Sequence, residues 1–308
     1  MVDLHTHSAA SDGSLSPSDL IAKAEKLGLS ALALTDHDTI GGLDDAARTA
    51  RERGIGFIPG IELEITRDPG IYRNPEGEFH LLGLGLLKPT LGFTRAVEGL
   101  ARRREERNLE ILDRMNKAGI PASYDEIVSM GDNTGGDNTG VNDVKGNMAQ
   151  HSIGRPHFAA FLVKKKIVRN RQQAFNRYLA RGKPFYIPKV GMEFENAVEL
   201  IHQSGGIAVL AHPMSLYIAW GRLPDLIKDL KQKGLDGLEA WHPAAKASAC
   251  KRLEELGRKL ALIITAGSDF HGEARPDRKL GITAGGKKIS ESFLEGIQVI
   301  WAQKPTSS

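Results

Sequence analysis

Residues 1–13, MVDLHTHSAASDG, place His5 and His7 two apart and Asp12 five further on. On a strand, residues i and i+2 share a face. Val2 and Leu4 would then occupy one face, and Asp3, His5 and His7 the other. An inward face that ends in imidazoles suits a metal better than a core, and the rest of the chain decides whether it meets further ligands.

Working outward, short apolar runs alternate with helical patterns. SPSDLIAKAEKLG reads as a helix capped by Ser16 with Pro17 at its first position. ALALTDHD reads as a strand, GLDDAARTARERG as a helix, and GFIPGIELEI and FHLLGLGLL as strands. The rhythm resumes late, with ENAVELIHQSGG and IAVLAHP, LPDLIKDLKQKG and LDGLEAWHP, and KASACKRLEELGRK and LALIITAGSDFH. Strands alternating with helices of this length indicate βα units and a parallel sheet. Seven or more strands point to a closed or nearly closed barrel.

Between residues 90 and 190 the rhythm breaks. TRAVEGLARRREERNLEILDRMNKAG reads as a long charged helix, followed by shorter helical pieces. The expected organisation is a barrel domain of residues 1–89 and 190–308, with 90–189 as a helical insert over the barrel mouth, where loops of such barrels lie. Within it GDNTGGDNTG repeats five residues in tandem. It reads as a flexible loop, since its spacing lacks the closing glutamate of an EF-hand calcium loop.

Composition narrows the partners. The 308 residues are 41% hydrophobic and 26% charged, with a net charge of +3, which is ordinary globular composition. That charge argues for neither duplex DNA nor a membrane as partner. The single cysteine, Cys250, excludes an intramolecular disulfide framework and a cysteine-based zinc site; it reads as a packed or half-exposed thiol. No basic, apolar leader precedes His5, and no apolar run approaches the ~20 residues of a membrane span. The expected location is the cytoplasm.

The strand ends collect the chemistry. The first strand ends in His5 and His7 with Asp12 beyond, and the second in Asp36, His37 and Asp38. The third carries Glu62, and His80 begins FHLLGLGLL. Later strands end in His212, in Glu239 to His242, and in Asp269 and His271. Parallel barrels carry their active sites at the carboxyl ends of strands. Any one of these histidines alone reads as a satisfied core or surface residue. At least six of the ten, interleaved with carboxylates, read as a site. Nitrogen and oxygen ligands without thiolate suit zinc, manganese, iron or magnesium in a catalytic centre.

Taken together, DLHTHS…SDG, TDHDT, PGIELE, AHP and GSDFH resemble the PHP family, named for polymerase and histidinol phosphatase. The resemblance covers residues 1–87 and about 190–275. Amidohydrolases also begin with His-x-His, but they end in a solitary Asp and often use a bridging lysine; Glu62 and Asp269-Phe270-His271 favour PHP. The resemblance implies an α/β fold, a distorted (β/α)7, TIM-like barrel, and two to three divalent ions (Mn, Fe, Zn or Mg). It assigns His5, His7, Glu62 and Asp269 to a first ion. Glu62 would bridge to a second, completed by His80 and His212. Asp12, His37 and His271 would hold a third, with Asp12 where some relatives have histidine.

Such a cluster binds a phosphate dianion and acidifies water between its ions. The implied activity is a phosphatase or phosphodiesterase acting on a nucleoside 3′,5′-bisphosphate or a short oligonucleotide, with metal-activated hydroxide as nucleophile and Glu62 and Asp269 central to catalysis. Histidinol-phosphate phosphatase and a non-catalytic PHP module are the alternatives. In SIGRPHF, Pro156 suits a first helical turn, so Arg155 stands where amides and guanidinium meet an anion. The family resemblance supports Arg155 as a phosphate clamp, with His157 beside it and His242 as a further substrate contact. Arg177, Arg181 and Lys183 are expected to serve a second phosphate. Trp241 could stack on a base or pack between barrel and insert. Asp36 and Asp38 are expected to orient imidazoles by accepting their other N–H. The stretch from Arg102 to Arg107 reads as a solvated helix face, or as a guide for a nucleotide chain. His202 reads as structural, and His151 has no role.

Overall fold

The structure is a computed structural model that describes residues 1–66, 77–129 and 153–303. The GDNTGGDNTG repeat and His151 lie outside the described residues. Strand β1 (Val2–Asp3) is followed by α1 (Pro17–Lys26), β2 (Ala31–Leu34), α2 (Leu43–Arg53), β3 (Gly56–Glu64) and β4 (His80–Leu84). Ser16 caps α1 as the sequence requires, its Oγ accepting from the Asp19 N–H at 3.0 Å. Then come α3 (Leu91–Lys117), α4 (Tyr124–Val128), α5 (Arg155–Lys164) and α6 (Arg171–Ala174), the last continued by a π turn over Phe175–Leu179. Three further units follow: α7 (Phe194–Gln203) with β5 (Ile207–Leu210), α8 (Leu223–Gln232) with β6 (Gly237–Trp241), and α9 (Ala247–Lys259) with β7 (Ile263–Ala266). A C-terminal hairpin, β8 (Ile282–Thr283) and β9 (Lys287–Lys288), and α10 (Ser292–Gln303) follow; the sequence pattern marks no individual element beyond His271.

Strands β1 to β7 stand side by side in sequence order. The ring is closed by a parallel bridge between Thr6 and Phe270, with Asp269 N–H donating to His5 O at 2.9 Å. Pairing is parallel except around β4, which is antiparallel to both β3 and β5. This corrects the all-parallel expectation. A parallel neighbour needs a crossover, usually helical, and no helix links β3 to β4 among the described residues. The reversal matters for the site. Glu64, at the end of β3, pairs with His80, at the start of β4, so His80 belongs to the rim formed by the carboxyl ends of the other strands.

The barrel interior follows from register. Glu62 lies opposite Leu82, and Leu82 and Leu84 lie opposite Val209 and Ile207. One face therefore runs from Glu62, Glu64 and His80 at the rim to Leu84 and Ile207 below. There Ile297 of α10 joins Leu4, Ala33, Ile58 and Val209 in a buried cluster and closes the far end. Regular strand geometry in β1 stops at Asp3, and Val2 and Leu4 fall in different clusters, so strict alternation through His7 is not what places the histidines.

Helix α3 has 27 residues, about 40 Å at 1.5 Å per residue. Phe93, Val97 and Leu100 pack with the barrel's outer layer. Ile111 and Met115 pack in a second cluster with Ile127, Phe158, Phe161, Leu162 and Phe185. Trp241 is buried in the barrel layer with its Nε1–H donating to Glu254 Oε2 at 2.6 Å; of the two readings given above, it packs. Cys250 is buried.

Candidate metal centre

The rim brings all nine expected ligands together in overlapping sets: His7, Asp12, His37 and His271; His5, His7 and Asp269; His5, Glu62 and His212; His37, Glu62 and His80. His5 Nε2 and His7 Nε2 are 3.1 Å apart, and each lies 3.3–3.6 Å from Glu62 Oε2 and Asp269 Oδ1. Tetrahedral ligands about 2.0–2.2 Å from a shared ion would be separated by about 3.3–3.6 Å. Glu62 turns its other oxygen, Oε1, to His80 Nδ1 and His212 Nε2, both at 2.8 Å, and those nitrogens are 3.3 Å apart. Asp12 lies 3.3 Å from His271 Nε2 and 3.9 Å from His37 Nε2. Glu62 Oε2 is buried without a hydrogen-bond partner, as expected of an oxygen whose lone pair serves a cation; His7 Nδ1 is likewise buried without a partner.

Electrostatics agree. Burial opposes ionisation of Glu62, yet His37, His80 and His5 hold its carboxyl well below the usual range. The same balance, against burial, holds Asp269 down through His271, His242 and His7, and Asp12 through His271 and His37. Three ionised carboxylates among imidazoles are the donor set that divalent ions require.

The residues that orient these ligands differ from those expected. Asp36 accepts from Ser8 N–H, Ser8 Oγ–H and Ser11 Oγ–H at 2.7, 2.6 and 2.5 Å, fixing the loop after β1. Asp38 accepts from Glu64 N–H at 2.9 Å and pairs with Arg104. Neither hydrogen-bonds an imidazole. Outside the expected ligand set, the carboxylates that hydrogen-bond a rim imidazole are Glu239 and Glu64. Glu239 Oε1 lies 3.0 Å from His5 Nδ1, while its Oε2 accepts from His212 N–H at 2.7 Å. Glu64 Oε2 lies 3.0 Å from His80 Nε2 and 2.5 Å from Lys189 Nζ. Period-2 alternation after Glu62 was the available signal for Glu64. Gly267 permits the approach of Glu239, since a Cβ there would meet His5 Cβ at 2.2 Å and Glu239 Oε1 at 2.6 Å.

Two of the expected ligands, His212 and Asp269, have positive φ, 27° and 53°, a region L-residues rarely adopt and one that recurs at functional sites. His242 has both ring nitrogens engaged, Nε2 with Asp269 Oδ2 at 3.2 Å and Nδ1 accepting from Ala244 N–H at 3.2 Å. It therefore braces Asp269, and it also lines a recess of about 260 Å³ beside the cluster. His202 pairs with Asp236 at 2.7 Å, half-exposed on α7.

The cluster opens into a cavity of about 250 Å³ whose opposite wall is helical, carrying Arg104 and Arg107 of α3 and Arg155, Pro156 and His157 of α5, together with Lys189. Arg155 is the first residue of α5, with Pro156 second. Its guanidinium lies over the rings of Phe175 and Tyr186 at 5.9 and 5.7 Å and donates to Leu179 O at 3.4 Å. His157 Nδ1 accepts from Gly154 N–H at 3.2 Å. Arg177, Arg181 and Lys183, expected to serve a second phosphate, are exposed and do not line this cavity. Arg107 is buried rather than solvated, correcting the reading of its stretch as an exposed face.

The PHP domain family matches residues 3–151. The chain is 36% identical over 270 residues to a 5′-3′ exoribonuclease of Haemophilus influenzae, covering 87% of this chain and 89% of that one. It is 31% identical over 282 residues to a 3′,5′-nucleoside bisphosphate phosphatase of Chromobacterium violaceum, covering 92% and 91%. A solved structure described as an amidohydrolase from Chromobacterium violaceum, with bound sulfate and no metal, superposes with a TM-score of 0.78 at 29% identity, covering 97% of this chain and 96% of that one. The chain belongs to the PHP family.

Proposed function

We propose that this protein is a metal-dependent phosphoesterase that hydrolyses a phosphate ester of a nucleotide, either a nucleoside 3′,5′-bisphosphate or a short oligonucleotide. The observation that carries the reading is one cavity with a nine-ligand carboxylate–imidazole cluster on its barrel side and arginines on its helical side. Relatives named for a bisphosphate phosphatase and an exoribonuclease support that substrate class. Residues 90–189 then act as the substrate-binding insert over a barrel of residues 1–89 and 190–308.

In this reading His5, His7, Glu62 and Asp269 hold a first divalent ion, Glu62, His80 and His212 a second, and Asp12, His37 and His271 a third. Ions bound there acidify water and neutralise phosphate charge. Glu62 couples two positions through its two oxygens, Glu239 fixes the ring of His5, and His242 steadies Asp269. Arg155, at the opening of α5, offers paired N–H donors to the phosphoryl oxygens. His157 stands on the same helical turn.

The test is a substrate panel on metal-stripped protein reloaded with manganese: adenosine 3′,5′-bisphosphate, a short 5′-phosphorylated RNA, adenosine 5′-monophosphate and histidinol phosphate. The bisphosphate or the RNA should show the highest kcat/KM. A best rate on histidinol phosphate, or no turnover of any of the four, would reject the reading.

A further inference from the structure

Helix α3 carries one continuous stripe, residues 93, 97, 100, 104, 107, 111 and 115, at the 3–4 residue spacing of a single face. Five of the seven positions are apolar and buried, three in the barrel layer and two in the second cluster. The two in the middle are Arg104 and Arg107, and both line the metal cavity. Arginine at the centre of an inward stripe needs a partner, because burying an unpaired cation is costly. Arg104 has one in Asp38, and Lys189, which lines the same cavity, has one in Glu64. Arg107 is 8% exposed, and its Nε lacks a hydrogen-bond partner. No carboxylate among the described residues forms an ion pair with it. Burial, Arg155 and Arg104 together push its pKa down to about 10, against a smaller opposing effect of Glu64, whose carboxylate is already paired with Lys189.

A phosphate on the metal cluster and Arg155 leaves this guanidinium uncompensated; a second phosphate on the same molecule would compensate it. We propose that Arg107 is the specificity-determining residue for a second, non-reacting phosphate, so that the cavity selects nucleotides carrying two phosphate groups. This rests on the phosphoesterase reading of the same site. It replaces Arg177, Arg181 and Lys183, which lie elsewhere, in that role.

The test compares adenosine 3′,5′-bisphosphate with adenosine 3′-monophosphate, which share the 3′ ester and differ by one phosphate. In the manganese-loaded wild type the ratio of kcat/KM should favour the bisphosphate by about ten- to a hundredfold, the scale of one charge-assisted contact. Arg107→Gln should cut that ratio about tenfold or more. Arg107→Lys should fall between, since an ammonium lacks the guanidinium's fork of donors, and it carries the test if Arg107→Gln does not fold. Arg102→Gln, on the exposed face of the same helix, is the control. A ratio that survives Arg107→Gln, equals wild type in Arg107→Lys, or falls equally in the control overturns the proposal while leaving the phosphoesterase reading standing. If the wild type turns over neither nucleotide, that reading fails separately, and both compounds become inert ligands for calorimetry with the same manganese-loaded protein. A bisphosphate advantage in wild type that vanishes in Arg107→Gln upholds the subsite; equal binding in wild type overturns it.

Discussion

The two walls of the cavity are built on different principles. On the barrel rim several of the expected ligands are held in place by hydrogen bonds. His5 is set by Glu239, His80 by Glu64, His212 by Ser215 at 2.6 Å and by Glu239 through its backbone, and His271 by Asp269 O at 2.8 Å. On the helical wall, among the described residues, Arg155 has one 3.4 Å hydrogen bond and two ring contacts, and Arg107 has no ion pair and no hydrogen bond at Nε. Ion ligands must keep their places whether or not substrate is present, so the strands and their carboxylates hold them. Substrate cations gain their partner on binding, and are left underserved until then. The rim is built for fixed chemistry and the wall for recognition.

That contrast can be broken in graded steps. The largest effect should come from Glu62→Gln, which removes the carboxylate proposed to serve two ion positions through separate oxygens. Turnover should be abolished and metal content, read by elemental analysis, should fall at both positions; full metal content in this variant would dissolve the bridging assignment. Next is Glu239→Gln, which leaves every ligand in place but weakens the hold on His5. A loss of about 10–100-fold in metal affinity or activity is expected, visible as a higher metal requirement; an unchanged metal titration would show that the rim is not braced in this way. Smaller again, and different in kind, is Arg155→Ala. It should lower kcat/KM about ten- to a hundredfold, the worth of about 1.5–3 kcal/mol, with metal content intact. Loss of metal here would erase the distinction between the walls. The smallest is His202→Ala. Its pair with Asp236 is 40% exposed on the histidine side, such pairs are worth less than about 1 kcal/mol, and Asp236 keeps its bond from Ala208 N–H. Activity should be unchanged within assay error, and a clear loss would mean that the site extends beyond the rim.

The sequence carried the βα rhythm plainly, because caps, glycines and apolar runs punctuate each unit, and α1, α2, α7, α8 and α9 form where those signals stand. The nine side chains that the structure gathers at the rim were named in advance by the PHP resemblance, and their convergence follows from strand ends meeting at one mouth once the barrel is accepted. What the pattern could not supply was direction and partner choice. Period-2 alternation reads the same in either strand direction, so the reversal of β4 was invisible while the position of His80 was not. Asp36 and Asp38 sit beside His37 in the chain, yet the imidazoles meet Glu64 and Glu239 instead, since adjacent residues on a strand face opposite ways. Arg107 was hidden in a charged run because its inward face shows only when the stripe is followed past both ends of that run. The C-terminal α10, which closes the barrel floor, has no ligand or strand signal to attract notice.

Helix α3 also ties together the fates of the two apolar clusters. Its first half supplies Phe93, Val97 and Leu100 to the barrel layer, and its second half supplies Ile111 and Met115 to the other cluster. Helical hydrogen bonding is cooperative along the rod, so melting either end withdraws side chains from one cluster and frays the support of the other. The helical segment and the barrel are therefore expected to unfold together, in one transition that reports on both cores.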